Sequence, residues 1–135
     1  MSGLWARWRE RRGRRGGRRG LDPALKSMVR AAYRDGRPLP EPLARKAAHA
    51  GDPQGMTVYG IGLGNRGAYA EAVHWLGKAV AAGDTSAMVV LGTLQMDLGN
   101  LGEAERHFRR AADRGHSGAR VALQQLRARR NGSGH

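Results

Sequence analysis

Residues 51–82 and 83–114 carry the same pattern twice, 32 residues apart and without a gap. The offset sets Gly51 over Gly83, Asp52 over Asp84, Met56 over Met88, Val58 over Val90 and Gly60 over Gly92. It goes on to set Gly67 over Gly99, Glu71 over Glu103, Ala72 over Ala104 and Ala79 over Ala111. Carried on once more, it places Gly83, Ala87, Val89 and Leu91 over Gly115, Ala119, Val121 and Leu123, so the third copy holds only a first helix. A fixed period of this size predicts an all-α chain, a short α-solenoid of antiparallel helix pairs, because one pair cannot bury its apolar face alone.

Local signals agree with that period. Each full copy opens on an aspartate, Asp52 before Pro53 and Asp84 before Thr85. A short carboxylate there accepts free N–H groups, and proline suits the first helical position. Gly67 and Gly99 break the first helices, and Gly83 and Gly115 end the second ones. Tyr69, Ala72, Val73, Leu76 and Val80 fall on one helical face, as do Leu101, Ala104, Phe108 and Ala111. On the solvent side Glu105 and Arg109 stand four apart in the favourable order. Upstream, Asp22-Pro23 repeats the cap, and Ala24–Arg34 with Glu41–Ala50 reads as a degenerate pair around Gly36–Pro40. The expected organisation is an arginine-rich disordered tail at 1–20, the degenerate pair at 21–50 and full repeats at 51–82 and 83–114. A capping half repeat at 115–130 and a loose tail at 131–135 complete about seven helices.

Composition narrows the chemistry. With 135 residues the chain has room for one compact domain and short tails. One Phe, three Tyr and three Trp leave the core to Ala, Leu, Val and Met, which suits close helix packing better than a β-sandwich. The absence of cysteine excludes disulfides, thiolate metal sites and cysteine nucleophiles. No apolar run reaches the ~20 residues that span a bilayer. Arg7 and Arg9 interrupt Leu4, Trp5 and Trp8 where a secretory signal would need an apolar stretch, so a cytoplasmic location is expected. The formal charge is +13, and its basic residues are arginines far more often than lysines, the coding bias expected of a GC-rich bacterial genome.

The residues of the repeat resemble the tetratricopeptide family, and in particular its Sel-one-like bacterial variants, in which an Ala-Gly-Asp junction starts each unit. Met88, Leu91, Gly92, Gly99, Ala104, Phe108 and Ala111 stand at the family's signature positions. Met56, Tyr59, Gly60, Gly67, Ala72, Leu76 and Ala79 do so in the first copy. The resemblance covers Asp52–Arg130 well and residues 21–51 poorly. It departs from the family in its shorter period, in Met at the first large position and in the missing terminal proline.

The resemblance implies a groove lined by successive first helices that holds a partner segment. By position its residues are Thr57, Ile61, Gly64 and Asn65, then Val89, Thr93, Met96 and Asp97, then Val121, Gln125 and Arg129. Such a surface is apolar to neutral, lacks the basic cluster of a carboxylate clamp, and favours an amphipathic helix or an extended apolar segment. The plainer alternative is that these residues pack against the chain's own N- or C-terminal segment.

The second feature with chemistry is the tail. Arg7, Arg9, Arg11, Arg12, Arg14, Arg15, Arg18 and Arg19 face a single acid, Glu10, and Trp5 and Trp8 are three apart. Guanidinium groups pair with phosphate, and indoles stack on bases or sit among lipid headgroups. A merely solubilising tail is the alternative. Arg127, Arg129 and Arg130 form a second basic run.

Other motifs are absorbed by the repeat. Gly62-x-Gly64-x-x-Gly67 matches a dinucleotide fingerprint on paper, but it falls inside a repeat helix and not after a strand. His49, His74, His107, His116 and His135 form no i, i+4 pair and are expected at the surface. Glu71 and Glu103 are repeat equivalents, not a catalytic pair.

The function expected is therefore that of a non-enzymatic adaptor without cofactor or metal, binding a protein or peptide, acidic ones included, in the repeat groove. A nucleic-acid-associated protein using the tail is the alternative, and a membrane-surface protein anchored by Trp5, Trp8 and the arginines a weaker one. Open stack ends leave room for a homo-oligomer.

Overall fold

The computed structural model describes residues 20–132, and these are all-helical, with seven helices and no strand. The helices are α1 (Pro23–Asp35), α2 (Glu41–His49), α3 (Pro53–Asn65), α4 (Tyr69–Ala81), α5 (Thr85–Asp97), α6 (Leu101–Asp113) and α7 (Ser117–Gly132). The arginine-rich tail, with Trp5, Arg7, Trp8, Arg9, Arg11, Arg12, Arg14, Arg15, Arg18 and Arg19, lies outside the described residues. At the other end α7 continues to Gly132, two residues into the segment expected to be loose.

The period of 32 is twice a shorter unit. Left-handed glycines stand at 51, 67, 83, 99 and 115, sixteen residues apart, each with φ between 85° and 92°. Each closes a helix in the same way. The N–H of Gly83 donates to Val80 O at 2.9 Å, and the N–H of Asp84 reaches back to Ala79 O at 3.0 Å. The same pair of bonds recurs at Gly67 and Ala68, at Gly99 and Asn100, and at Gly115 and His116. This is the Schellman closure, which satisfies carbonyls the helix leaves open and needs a residue with positive φ. The second residue of each closure is also the N-cap of the next helix. Thirteen helical residues and a three-residue joint therefore make up each sixteen-residue step from α3 to α6.

The caps use that shared residue. An Asp52 carboxylate oxygen accepts from Gly55 N–H at 2.8 Å, and Asp84 accepts from Ser86 N–H at 3.0 Å. At the start of α7 a histidine serves, His116 Nδ1 accepting from Ala119 N–H at 3.3 Å.

The helices pack as an α-solenoid. Each packs on the next in sequence, and α1, α3, α5 and α7 also touch in series, so the odd-numbered helices form one layer and the even-numbered ones a second. The core between the layers runs through Ala72, Leu76, Ala79, Met88, Leu91 and Ala111, with Phe108, Leu123 and Leu126 extending it under α7. A smaller cluster of Leu25, Val29 and Ala47 joins α1 to α2. Among the described residues no helix is long and apolar enough to cross a membrane.

Two glycines set the distance within each pair. A Cβ at Gly60 would lie 2.6 Å from Leu76 Cγ, and one at Gly92 would lie 2.6 Å from Phe108 Cε1. Phe108 is fully buried and has no room to swing aside. Gly62, by contrast, is a helical glycine with nothing within 4 Å of its Cβ position. Gly92→Ala is therefore expected to destabilise the chain by about 1–3 kcal/mol through overpacking. Gly62→Ala should stabilise it by about 0.5–1 kcal/mol by restricting the unfolded backbone. Urea unfolding followed by circular dichroism measures both, and opposite signs are the expected result.

Candidate functional site

Between the C-terminal halves of α3 and α5 the odd-numbered layer opens into a groove of about 450 Å³. Ile61, Gly64 and Asn65 form one wall, Val89, Thr93 and Asp97 the other. All six lie at positions that the family resemblance assigned to a partner groove. The groove opens where a side chain is missing: Gly64 carries none, and a Cβ there would meet only Ala72, at 3.8 Å.

The ends of the groove hold one residue that helical periodicity placed elsewhere and one that it did not place. Tyr69 shares a helical face with core residues, yet it is 47% exposed and lines the groove together with Leu98, itself 43% exposed. Tyr69 is the first residue of α4, where the neighbouring helix no longer covers it. Ile61 is a third large apolar residue at the surface, at 38%. Asp97 is the one charged side chain in this lining.

The remaining positions do not join that groove. Met96, Gln125 and Arg129 line a separate hollow with Ala128, between α5 and α7. Val121 is exposed on α7 and lines neither. Thr57 is not a surface residue at all, at 1% exposure. Its hydroxyl approaches Pro53 O at 3.1 Å and donates to an Asp84 carboxylate oxygen at 2.5 Å, and a threonine placed so pays for its burial with that bond.

Asp84 is the centre of a polar clamp. Its other carboxylate oxygen accepts from the Tyr33 hydroxyl at 2.6 Å while also capping α5. One side chain thus ties α1, α3 and α5 together at the end opposite the groove. Burial, followed by the bond to Asp84, raises the Tyr33 phenol above its ordinary value, against a smaller opposing effect of Ser86. The folded phenol ionises later than the unfolded one, so its contribution to stability is complete below about pH 10 and fades as the pH rises further.

The surface placement expected of the histidines holds for His49 and His74, which are exposed, and in part for His107 and His116, which are half-buried. His49 and His74 lie edge-on to Trp75, with ring centroids 4.9 and 5.5 Å away, and Tyr59 completes the cluster at 5.6 Å. His107, the repeat equivalent of Trp75, is partly buried, and its Nδ1 is sealed from solvent with no hydrogen-bond partner. Burial, then Arg110 and Arg106, lower its pKa. Among the described residues no group of three or more His, Asp or Glu could hold a metal ion. No protein-family model matches the chain, and no curated protein matches it in sequence.

Two stability measurements follow. Asp84→Ala removes a helix cap, takes the acceptor from the Tyr33 hydroxyl and leaves Thr57 only Pro53 O, so a loss of about 2 kcal/mol is expected in denaturant unfolding. Folding lowers the His107 pKa, so stability should decline as the pH falls through the ordinary histidine range near 6.5, where the unfolded chain takes up a proton first. His107→Leu should flatten that decline, seen as a smaller difference between urea midpoints at neutral and mildly acidic pH.

Proposed function

We propose that the chain is a non-enzymatic adaptor of tetratricopeptide type, acting in the cytoplasm, that binds a protein segment in the groove between α3 and α5. The observation that carries this reading is the clustering of Ile61, Tyr69 and Leu98, three exposed large apolar residues, around one groove. An exposed apolar patch around a concavity marks an interaction site more often than chance exposure does. The groove's polar groups, Asn65, Thr93, Asp97 and the Tyr69 phenol, include a single carboxylate and no histidine, which suits orienting a bound segment better than acid–base chemistry. The family assignment rests on the signature residues of the two copies, and the helix pairs fit it.

The shape of the groove defines the segment. Its walls are Val and Ile with small residues between, so it takes an amphipathic helix or an extended strand with apolar anchors. Asp97 at one end favours a basic residue in the partner there.

The reading is tested by immobilising the full chain and capturing partners from a cell lysate in high salt, which suppresses attraction to the arginines. Val89→Arg and Ile61→Arg each place a charge in the groove. Capture of specific partners should fall about tenfold or more, the loss of at least 1.4 kcal/mol, with the helical circular dichroism unchanged. Retention of the same partners by both variants overturns the groove as the binding site.

A further inference from the structure

The described residues are not evenly charged. Residues 20–100 hold eight Lys and Arg against seven Asp and Glu, whereas residues 101–132 hold eight Arg against three acids. The excess of the folded part is therefore concentrated on α6 and α7. Two of those three acids are already engaged: Glu103 pairs with Arg106, and Glu105 accepts from both Arg109 and Arg130. The ion pairs leave the surface strongly positive.

One face of α7 stands out within it. The repeat places Gln124 where α3 and α5 have Gly60 and Gly92, the glycines that admit the close approach of Leu76 and Phe108. A glutamine there blocks such an approach, so this face is not built to receive a packed helix as its equivalents do. Arg120 and Arg127, four residues before and three after Gln124, share its face. All three are exposed, and the Arg120 and Arg127 side chains form no hydrogen bond or ion pair among the described residues. The two arginines are separated by about 10 Å along the helix, two turns. The glutamine amide between them can both donate and accept.

We propose that this face of α7, centred on Arg120, Gln124 and Arg127, binds the phosphate backbone of a single-stranded nucleic acid. Guanidinium groups match phosphate oxygens in a bidentate way, and two of them in line along a helix neutralise a strand at two points. The Glu105 ion pairs hold Arg109 and Arg130 beside each other on the α6 side, adding a field without competing for the same phosphates. A membrane surface fits less well. Insertion into headgroups needs large apolar residues on the same face as the basic ones, and here Leu123 and Leu126 are buried against α6. Val121 is the one large apolar residue exposed on α7, and a single valine is too small an anchor for insertion. The surface is separate from the groove between α3 and α5, and either can fail without the other.

The test uses the full chain, with its arginine tail in place, and a fluorescently labelled oligouridine followed by anisotropy. Arg120→Glu combined with Arg127→Glu should weaken binding tenfold or more at low salt. Between about 50 and 200 mM salt it should also make the plot of log affinity against log salt shallower by about 1.4, the value for two lost phosphate contacts on a single strand. The neutral pair Arg120→Gln and Arg127→Gln should show an intermediate loss. Arg37→Glu with Lys46→Glu makes the same change in net charge on exposed positions of the opposite end and should alter affinity less than threefold. Equal losses in the two reversal variants would mean that net charge alone acts, and no loss in the α7 variant would mean that the tail carries all binding; either overturns the proposal. A loss confined to phosphatidylserine vesicles, with oligouridine binding intact, overturns it in favour of a lipid surface.

Discussion

Every helix from α3 to α7 begins at a residue whose N–H has just closed the helix before it. A Schellman closure fixes the direction in which the chain leaves a helix, and an N-cap fixes the direction in which it enters one. When one residue does both, no free torsion is left between them. The joint becomes rigid and the same turn is made each time. Identical joints sixteen residues apart bring the helices back alongside one another in constant register, which makes the glycines at 51, 67, 83, 99 and 115 the condition for the stack. Any other residue there would need a conformation that side chains rarely adopt.

Packing between the layers then depends on small residues. Ala72, Ala79, Ala104 and Ala111 are fully buried, and Gly60 and Gly92 receive Leu76 and Phe108. Two copies of one contact solve the problem with different partners, an aliphatic side chain in one and an aromatic ring in the other. The groove arises from the same geometry. At one end of the odd-numbered layer the Tyr33, Thr57 and Asp84 clamp draws α1, α3 and α5 together, while at the other Gly64 leaves volume unfilled. A polar tie at one end and a deficit of side chains at the other open the layer on one side only.

The outcome is a small molecule with two surfaces of opposite character. The groove is apolar with one carboxylate, and the α6–α7 end is basic with two of its three acids engaged. Apolar complementarity favours a specific segment, whereas an arginine-rich face gathers polyanions at long range and in a salt-dependent way. The two proposals together describe a chain that brings a protein and a polyanion close to one another.

Helix number, helix length and the joints were legible in the sequence because each depends on residues close together in the chain. Asp52, Asp84, Gly67, Gly83, Gly99 and Gly115 announce their caps and turns locally, and the offset of 32 shows the copies directly. Only half of the period was visible in that way: the sixteen-residue step is carried by backbone conformation at glycine, not by similarity between first and second helices. The groove was legible in part. Ile61, Asn65, Val89 and Thr93 stand where position placed them, but Thr57 occupies an equivalent position and is buried, because Asp84, 27 residues away, takes its hydroxyl. Tyr33 reaches the same carboxylate from 51 residues away. Tyr69 and Leu98 are exposed for the converse reason, since at the helix ends no neighbour covers them. The sequence by itself determined the repeating helices and their joints, which local hydrogen bonds enforce. Which residues of a repeated face meet solvent was decided only by the tertiary structure, since exposure depends on what the neighbouring helix contributes, and the neighbours of equivalent positions are not equivalent.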